Sequence, residues 1–558
     1  MEYSILVGGA AGQGIETLAG ALEKIIKAKG FYLFSNKDYM SRVRGGHNFT
    51  QIRFSDSPLT GYWPELDIIM AFDAETLKLH SERLKKGGYI ICDEKLAGEK
   101  PGLLGLPLEK SAKELGNPRV AGTIAMGAVA KLLGFSTEGL EEVFQKEYKE
   151  KIREINIKAF HEGYQMVTPL FDCGPEKEDR QILISGNQAL ALGALAGGVA
   201  FYSGYPMTPS TSIMTYLSEK QAETGIVVEQ AEDEIAAINM AIGASYAGVR
   251  AMTATSGGGF SLMTEALGLA GITETPLVVI NSMRPGPATG FPTRTEQGDL
   301  SFILSAGHGE IPRMVISVKN PEDGFYQIQR ALNLADKYQL LVIVLSDQFF
   351  GDSSRTCLPF DFDSLKIERY LQKDLPEDHE HHLRYRLTEN GISPRVIPGK
   401  FPGVTVLADS DEHDERGNIT ESAEMRIAMM EKRMNKLKLL QEELQEPEYL
   451  GVENPQYLCI AWGSTQGPVQ EAIEILNKEG IAIGALVFGD IWPLPLKNLE
   501  KYAAHAEKII NIEQNYLGQM ARLIRQETGI KCTDSILKYD GRPFNAYEIV
   551  QRLKKEVF

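Results

Sequence analysis

Three stretches of this sequence bring together residue types that can do chemistry. The first is Ser203-Gly204-Tyr205-Pro206-Met207-Thr208-Pro209. Its prolines fix the backbone around Met207 and Thr208. A hydroxyl is thereby presented on a stiff loop just past an apolar run, where open α/β sheets place their ligands. The same residues also fit a plain tight turn. The second stretch is Glu229-Gln230-Ala231-Glu232-Asp233-Glu234, ahead of a helical pattern rich in Ala and Gly. Acids there suit the positive end of a helix. Glu234, beside the apolar residues, could instead hold a raised pKa and share a proton with a heterocyclic nitrogen. The third is the Pro- and Gly-rich loop from Arg284 to Asp299. Long loops inside compact domains are often functional. Arg294 can grip a carboxylate bidentately, or pair structurally with Glu296 or Asp299.

Two glycine-rich turns complete the set. Gly8-Gly9-Ala10-Ala11-Gly12-Gln13-Gly14 lies between an apolar strand pattern at 4–7 and a helical pattern at 15–29. A strand, a glycine turn and a helix start gather free N–H groups at a positive dipole end, which suits pyrophosphate. The order Gly9-x-x-Gly12-x-Gly14 is neither G-x-G-x-x-G nor a P-loop, so a phosphate site and a plain turn both fit. Arg42, Arg44, Gly45, Gly46 and His47 add cationic and flexible groups, or form a surface hairpin. Thr253 to Gly259 repeats the strand, turn and helix pattern. The histidines at 379–382 lack the i, i+4 spacing of a zinc helix and sit among acids, so they are expected at the solvated surface. His413 is expected there too.

The elements that must position these residues read as α/β. Strands at 67–72 and 89–92 alternate with helices at 124–133 and 138–148, which suggests a parallel domain over about 1–170. The polar stretch 169–180 is a boundary. A second α/β pattern has strands near 199–202, 226–229, 250–255, 277–281, 313–317 and 340–345, with a helix at 233–247. The region 355–454 reads as an insertion or linker carrying one long charged helix at 425–446. A last α/β unit has strands at 457–461, 483–488 and 508–513.

Composition narrows the function. The 558 residues predict three or four domains. The 58 Lys+Arg against 75 Asp+Glu leave a net charge of −17, a poor match to nucleic acid. Cys92, Cys173, Cys357, Cys459 and Cys532 are scattered without a C-x-x-C pair, so no iron–sulfur or zinc ligand run is expected in this chain. No basic leader precedes the first strand, and the apolar run near 189–202 is too short to span a bilayer. A cytoplasmic, membrane-free protein is expected.

Tyr205-Pro206-Met207-Thr208-Pro209 resembles the Y-P-I-T-P motif of 2-oxoacid:ferredoxin oxidoreductases, with Met for Ile. The Glu234 helix and Thr293-Arg294-Thr295-Glu296-Gln297 follow in that family's order, and Gly9–Gly14 with Arg42–His47 resemble its γ domain. Most of the chain is similar to an α subunit with a γ domain fused ahead of it. The resemblance implies several α/β parallel-sheet domains: a γ domain at 1–175, a thiamine-diphosphate pyrimidine-type domain at 182–354, the 355–454 insertion, and a transketolase-C-like domain at 455–558.

The reaction implied joins a 2-oxoacid to coenzyme A, releasing carbon dioxide and passing electrons to ferredoxin, with thiamine diphosphate as cofactor. Glu234 is then the glutamate at N1′ of the aminopyrimidine, with Tyr205 and Pro206 beside the cofactor. Thr208 and Arg294 meet the substrate's carboxylate end. Gly9, Gly12, Gly14, Arg42 and Arg44 would help hold coenzyme A. Mg²⁺, the diphosphate and a [4Fe–4S] cluster belong mainly to a β subunit, in an αβ or (αβ)₂ assembly, with no metal held by this chain. The preferred substrate is 2-oxoglutarate, with pyruvate or a broad 2-oxoacid range as the alternative. Two readings of other classes stand beside this one. They are a nucleotide-dependent dehydrogenase using the Gly9–Gly14 turn, and a non-catalytic scaffold recruiting partners through the 425–446 helix.

Overall fold

The structure is a computed structural model that describes residues 1–40, 46–98, 102–376 and 381–558. Arg42, Arg44 and Gly45, and His379 and Glu380, lie outside the described residues. The chain opens with strands β1 (Glu2–Ala10), β2 (Tyr32–Asp38), β3 (His47–Ser55), β4 (Leu66–Ala71), β5 (Leu84–Asp93), β6 (Leu103–Leu106) and β7 (Ile182–Ser185). It continues with β8 (Phe201–Gly204), β9 (Val227–Gln230), β10 (Ala251–Thr255), β11 (Leu277–Met283), β12 (Arg313–Ser317), β13 (Leu341–Asp347) and β14 (Ser354–Cys357). It closes with β15 (Glu448–Gly451), β16 (Tyr457–Trp462), β17 (Ile483–Phe488), β18 (Asp490–Trp492), β19 (Lys508–Glu513) and β20 (Asp534–Leu537).

Contacts divide the chain into two units. The first holds Met1–Ser185, Asp352–Pro359 and Asn545–Tyr547. Its sheet runs β6-β5-β4-β1-β3-β2-β14-β7. The helix Ile15–Ala28 buries Leu18, Leu22, Ile25 and Ile26, spaced to line one face, in the main core of this unit. It stops at Gly30, whose φ of 79° is the left-handed conformation of a helix terminator. The purely parallel first domain expected from the sequence is corrected here. β1, β4, β5 and β6 are parallel, but β3 is antiparallel to both β1 and β2. The reason is chain length: the link from Asp38 to His47 is shorter than the roughly dozen residues a parallel crossover needs.

The second unit holds Gly186–Gly351, Phe360–Phe544 and Glu548–Phe558. One sheet runs β18-β12-β13-β11-β10-β8-β9 and the other β15-β17-β16-β19-β20. Leu341 to Asp347 is buried throughout, as a central parallel strand covered on both faces should be. The two sheets share one apolar core, in which Val279, Leu341 and Ile343 join Leu458, Trp462 and Phe488.

The charged helix appears as Ala423–Glu443, but its cations turn inward. Lys432 and Lys436 each lie 2.5 Å from the carboxylate of Glu274, and all three are buried. The two ammonium groups and Arg384 hold the Glu274 carboxyl well below the usual range, against the opposing effect of burial. His413 corrects the surface expectation: it is fully buried, with its ring 4.0 Å from that of Tyr385, and burial lowers its pKa. His382 is buried as well, whereas its neighbour His381 is exposed.

Candidate functional site

Strands β9, β8, β10 and β11 are consecutive and parallel, so all four release their chains at one edge of the sheet. β8 leads into Tyr205–Pro209, β9 into the helix Glu234–Tyr246, β10 into Ser256–Gly259, and β11 into the loop that starts at Arg284. This is the carboxyl edge, where parallel sheets bind ligands.

Glu234 opens its helix directly after Asp233, whose side chain accepts the Ala236 N–H at 2.7 Å. That cap fixes the first turn and points the next carboxylate at the sheet edge. Glu234 is only 3% exposed, and its Oε1 has no hydrogen-bond partner among the described residues. A Cβ on Gly259 would run into this Oε1 and into Thr255 Oγ1. The glycine thus lets the buried carboxylate pack directly against the turn. Leaving such an atom unpaired costs about 1–3 kcal/mol, so the site is built to receive a donor.

Thr208 is part-exposed on a braced loop. Asn187 Nδ2 donates to the Pro209 carbonyl at 2.8 Å, and Ser210 Oγ donates to the Met207 carbonyl at 2.7 Å. Arg284 Nη1 donates to the Thr208 carbonyl at 2.7 Å. Tyr205, 40% exposed, stands outside this cluster, and Pro206 is half-buried.

The far half of the 284–299 loop is held by the C-terminal sheet. Gln297 donates to the carbonyls of Gln514 at 2.7 Å and Trp462 at 2.8 Å, and accepts from the Gln514 N–H at 3.0 Å. Asn515 Nδ2 donates to the Gln297 carbonyl at 3.1 Å. Arg294 is half-buried, donates to the Thr293 carbonyl at 3.3 Å, and packs against Gly541.

Two carboxyl groups of this loop are displaced from ordinary behaviour. Burial, and then the charge of Asp299, push Glu296 up to about 7. Burial also raises Asp299, against the Asn281 side chain, which donates at 2.9 Å, and against Arg284. Arg284, which the sequence offered only as a member of a long loop, and Asp299, which it offered as a structural partner of Arg294, thus lie at this sheet edge. Their signal was the loop itself; their placement is a tertiary fact.

In the first unit, Gly12 and Gly14 line a cavity of about 760 Å³ with Thr17, Asp93, Arg119 and Asn156. Their φ angles are 95° and 76°, and a Cβ on either would meet nothing within 4 Å. Gly14 caps the helix Ile15–Ala28 without a side-chain hydrogen bond, so that helix end is open to the cavity. Gly9 differs: a Cβ there would press on Ile15 and Phe72, so it serves packing. Among the described residues no group of three His, Cys, Asp or Glu could hold a metal ion, and no helix is long and apolar enough to cross a membrane.

Comparison with known proteins agrees with this geometry. Residues 4–166 match the family described as pyruvate ferredoxin/flavodoxin oxidoreductase. Residues 192–432 match the thiamine-diphosphate-binding domain of pyruvate flavodoxin/ferredoxin oxidoreductases, and residues 456–549 match pyruvate:ferredoxin oxidoreductase core domain II. A 2-oxoacid:ferredoxin oxidoreductase subunit alpha from a Sulfolobus species is 36% identical, over 100% of this chain and 97% of that one. The 2-oxoglutarate oxidoreductase subunit KorA of Mycobacterium tuberculosis is 29% identical over 97% of this chain and 89% of its own. A solved structure of 2-oxoglutarate:ferredoxin oxidoreductase from Magnetococcus marinus, with 2-oxoglutarate, coenzyme A and succinyl-CoA bound, superposes with a TM-score of 0.92. It is 33% identical and both chains are covered in full. With the glutamate, threonine and arginine loops of the motif gathered at one sheet edge, the chain belongs to the 2-oxoacid:ferredoxin oxidoreductase family, as an alpha subunit.

Proposed function

We propose that this subunit interconverts 2-oxoglutarate, coenzyme A and oxidised ferredoxin with succinyl-CoA, carbon dioxide and reduced ferredoxin, together with a β subunit. The observation that carries the reading is Glu234, whose buried Oε1 lies close against Gly259 and has no hydrogen-bond partner among the described residues. An unpartnered carboxylate oxygen suits the aminopyrimidine of thiamine diphosphate, which offers a ring nitrogen to a carboxyl group. When bound, the cofactor supplies the carbanion chemistry at its thiazolium carbon. Glu234 holds the proton between its Oε1 and that ring nitrogen. Tyr205 and Pro206 lie beside the cofactor, and the Thr208 hydroxyl receives the carboxylate end of the 2-oxoacid.

Arg284 supports the same end because its guanidinium already sits on Thr208, and Arg294 stands farther along the same loop. Two arginines on one loop suit a substrate with two carboxylates, and the Magnetococcus structure holds 2-oxoglutarate. Fixing the carboxylate fixes the bond that breaks, which is a positioning effect. Coenzyme A is assigned to the first-unit cavity, where the backbone at Gly12 and Gly14 is open and Gly9 shapes the turn. Arg42 and Arg44 follow in sequence as cationic partners. Mg²⁺, the diphosphate and a [4Fe–4S] cluster are assigned to the β subunit, as the family resemblance implies. An αβ or (αβ)₂ assembly follows. Five free thiols suit a reducing cytoplasm. The working division is 1–175, 182–354, 355–454 and 455–558.

The test is coenzyme A-dependent dye reduction by the anaerobically purified complex, with 2-oxoglutarate and pyruvate side by side. Faster reduction with 2-oxoglutarate is expected. Faster reduction with pyruvate would transfer the assignment to pyruvate, and reduction without coenzyme A would overturn it.

A further inference from the structure

The segment that carries Arg294 is anchored at two points, and Gln514 joins them. Gln514 directly follows β19. Its carbonyl accepts from the Gln297 N–H at 2.7 Å, and its own N–H donates to Gln297 Oε1 at 3.0 Å. Its side-chain Oε1 accepts from the Phe544 N–H at 3.0 Å. Phe544 follows the turn at Gly541, and Pro543 between them stiffens the link. The Gly541 carbonyl in turn accepts from the Thr295 N–H at 3.4 Å. A Cβ on Gly541 would come within 3.1 Å of Arg294 Cβ and 3.5 Å of its Cγ. The stem of Arg294 therefore lies on this turn. Gln297, Gln514 and Phe544 are all buried.

The Gln514 amide is engaged through its oxygen. Its Nε2 is buried and has no hydrogen-bond partner among the described residues. The acceptor is thus the group through which this side chain acts. A long side chain loses rotamer freedom when it grips a ligand, and a stem that is already packed has less to lose. We propose that Gln514 is a positioning residue for the 2-oxoacid: through Phe544 its side chain holds the Gly541 turn against the Arg294 stem, so that the guanidinium is aimed before the substrate carboxylate arrives. The inference rests on the reading of Arg294 as a carboxylate-binding group.

Gln514→Met keeps the length of the side chain and both main-chain bonds to Gln297, and removes the oxygen that accepts from Phe544. The assay is steady-state dye reduction by the complete complex with its β subunit, for Gln514→Met, Arg294→Ala and the double variant. Gln514→Met is expected to raise the KM for the 2-oxoacid about fivefold, the scale of one net hydrogen bond, and to leave kcat and the KM for coenzyme A unchanged. In the Arg294→Ala background it is expected to add nothing, because a residue acting through another has no effect once that other is gone. An unchanged 2-oxoacid KM in Gln514→Met, a loss confined to kcat, or a full further loss in the double variant would overturn the proposal. Gly541→Ala presses on Arg294 Cβ from the same turn and provides the same readings should the Met variant fail to assemble. An unchanged 2-oxoacid KM in Arg294→Ala would instead overturn the carboxylate reading of Arg294 beneath it.

Discussion

The turn at Gly12–Gly14 stands open, and the turn at Gly257–Gly259 is packed shut. Both follow a parallel strand and both open a helix. At Gly12 and Gly14 the φ angles are positive and no atom lies within 4 Å of an added Cβ. Glycine is needed there for backbone conformation, and the freed N–H groups face a cavity. At Gly257 and Gly259 the space is taken by the carboxylates of Asp299 and Glu234. Glycine is needed there so that acidic side chains can approach the backbone. One local pattern thus serves two purposes: the open turn leaves backbone free toward a cavity, and the closed turn lets carboxylates pack on the backbone; under the proposed function the first would take coenzyme A and the second would fix the acid–base group.

The contrast can be broken by substitution. The largest effect is expected from Glu234→Gln, which keeps the shape but cannot hold the shared proton. Turnover by the complex should fall about 10²–10⁴-fold, the usual share of a positioned acid–base group, with β-subunit assembly intact by gel filtration. Gly259→Ala should come next. Its methyl group must displace Glu234 or Thr255, so kcat should fall by more than tenfold, and overpacking should cost about 1–3 kcal/mol in denaturant melts. Gly14→Ala meets no neighbour and pays only for its left-handed φ, about 1–2 kcal/mol. Its functional effect should appear in the KM for coenzyme A, about five- to tenfold.

The smallest effect separates the two units by pH. Glu296 is pushed up to about 7, so its folded state prefers the proton. That contribution is complete below about pH 4.5 and is lost as pH rises through 7. His80, in the first unit, is pushed down to about 3, mainly by burial. Its contribution is complete above about pH 6.5 and is lost as pH falls toward 3. Between pH 5 and 6.5 the slopes oppose each other. Relative to Glu296→Gln, the wild type should lose thermal stability as pH rises; relative to His80→Gln, it should gain. Parallel melting curves that do not diverge with pH would contradict these assignments.

Much of the second unit was legible because its signals are local. The prolines around Thr208 mark a stiff loop, and an acid run before an Ala-rich helix marks the Glu234 terminus. Strands 277–281 and 313–317 are marked by short apolar runs, Leu277 to Ile280 and Met314 to Ile316, as buried parallel strands should be. What was not legible depends on partners distant in sequence. The loop at 284–299 was read as functional, with Arg294 as its cation. Only the fold shows Arg284 on Thr208 and Arg294 against Gly541. The inward turn of the charged helix was not legible because lysines are found in solvent unless paired, and Glu274, the partner of Lys432 and Lys436, lies far away in sequence. His413 was hidden for a related reason: acids flank it in sequence, and Tyr385 covers it in space. In the first unit the antiparallel pairing of β2 and β3 was missed because alternating strands and helices were taken to continue across a link too short for a helix.

The most direct measurement is a paired kinetic comparison of Gly14→Ala and Gly259→Ala in the complete complex, reading kcat and the KM values for coenzyme A and for the 2-oxoacid. The expected result is a crossed pattern. Gly14→Ala should raise the coenzyme A KM with kcat nearly unchanged, and Gly259→Ala should lower kcat with the coenzyme A KM nearly unchanged. The same constant shifting in both variants would contradict the division of labour between the two turns.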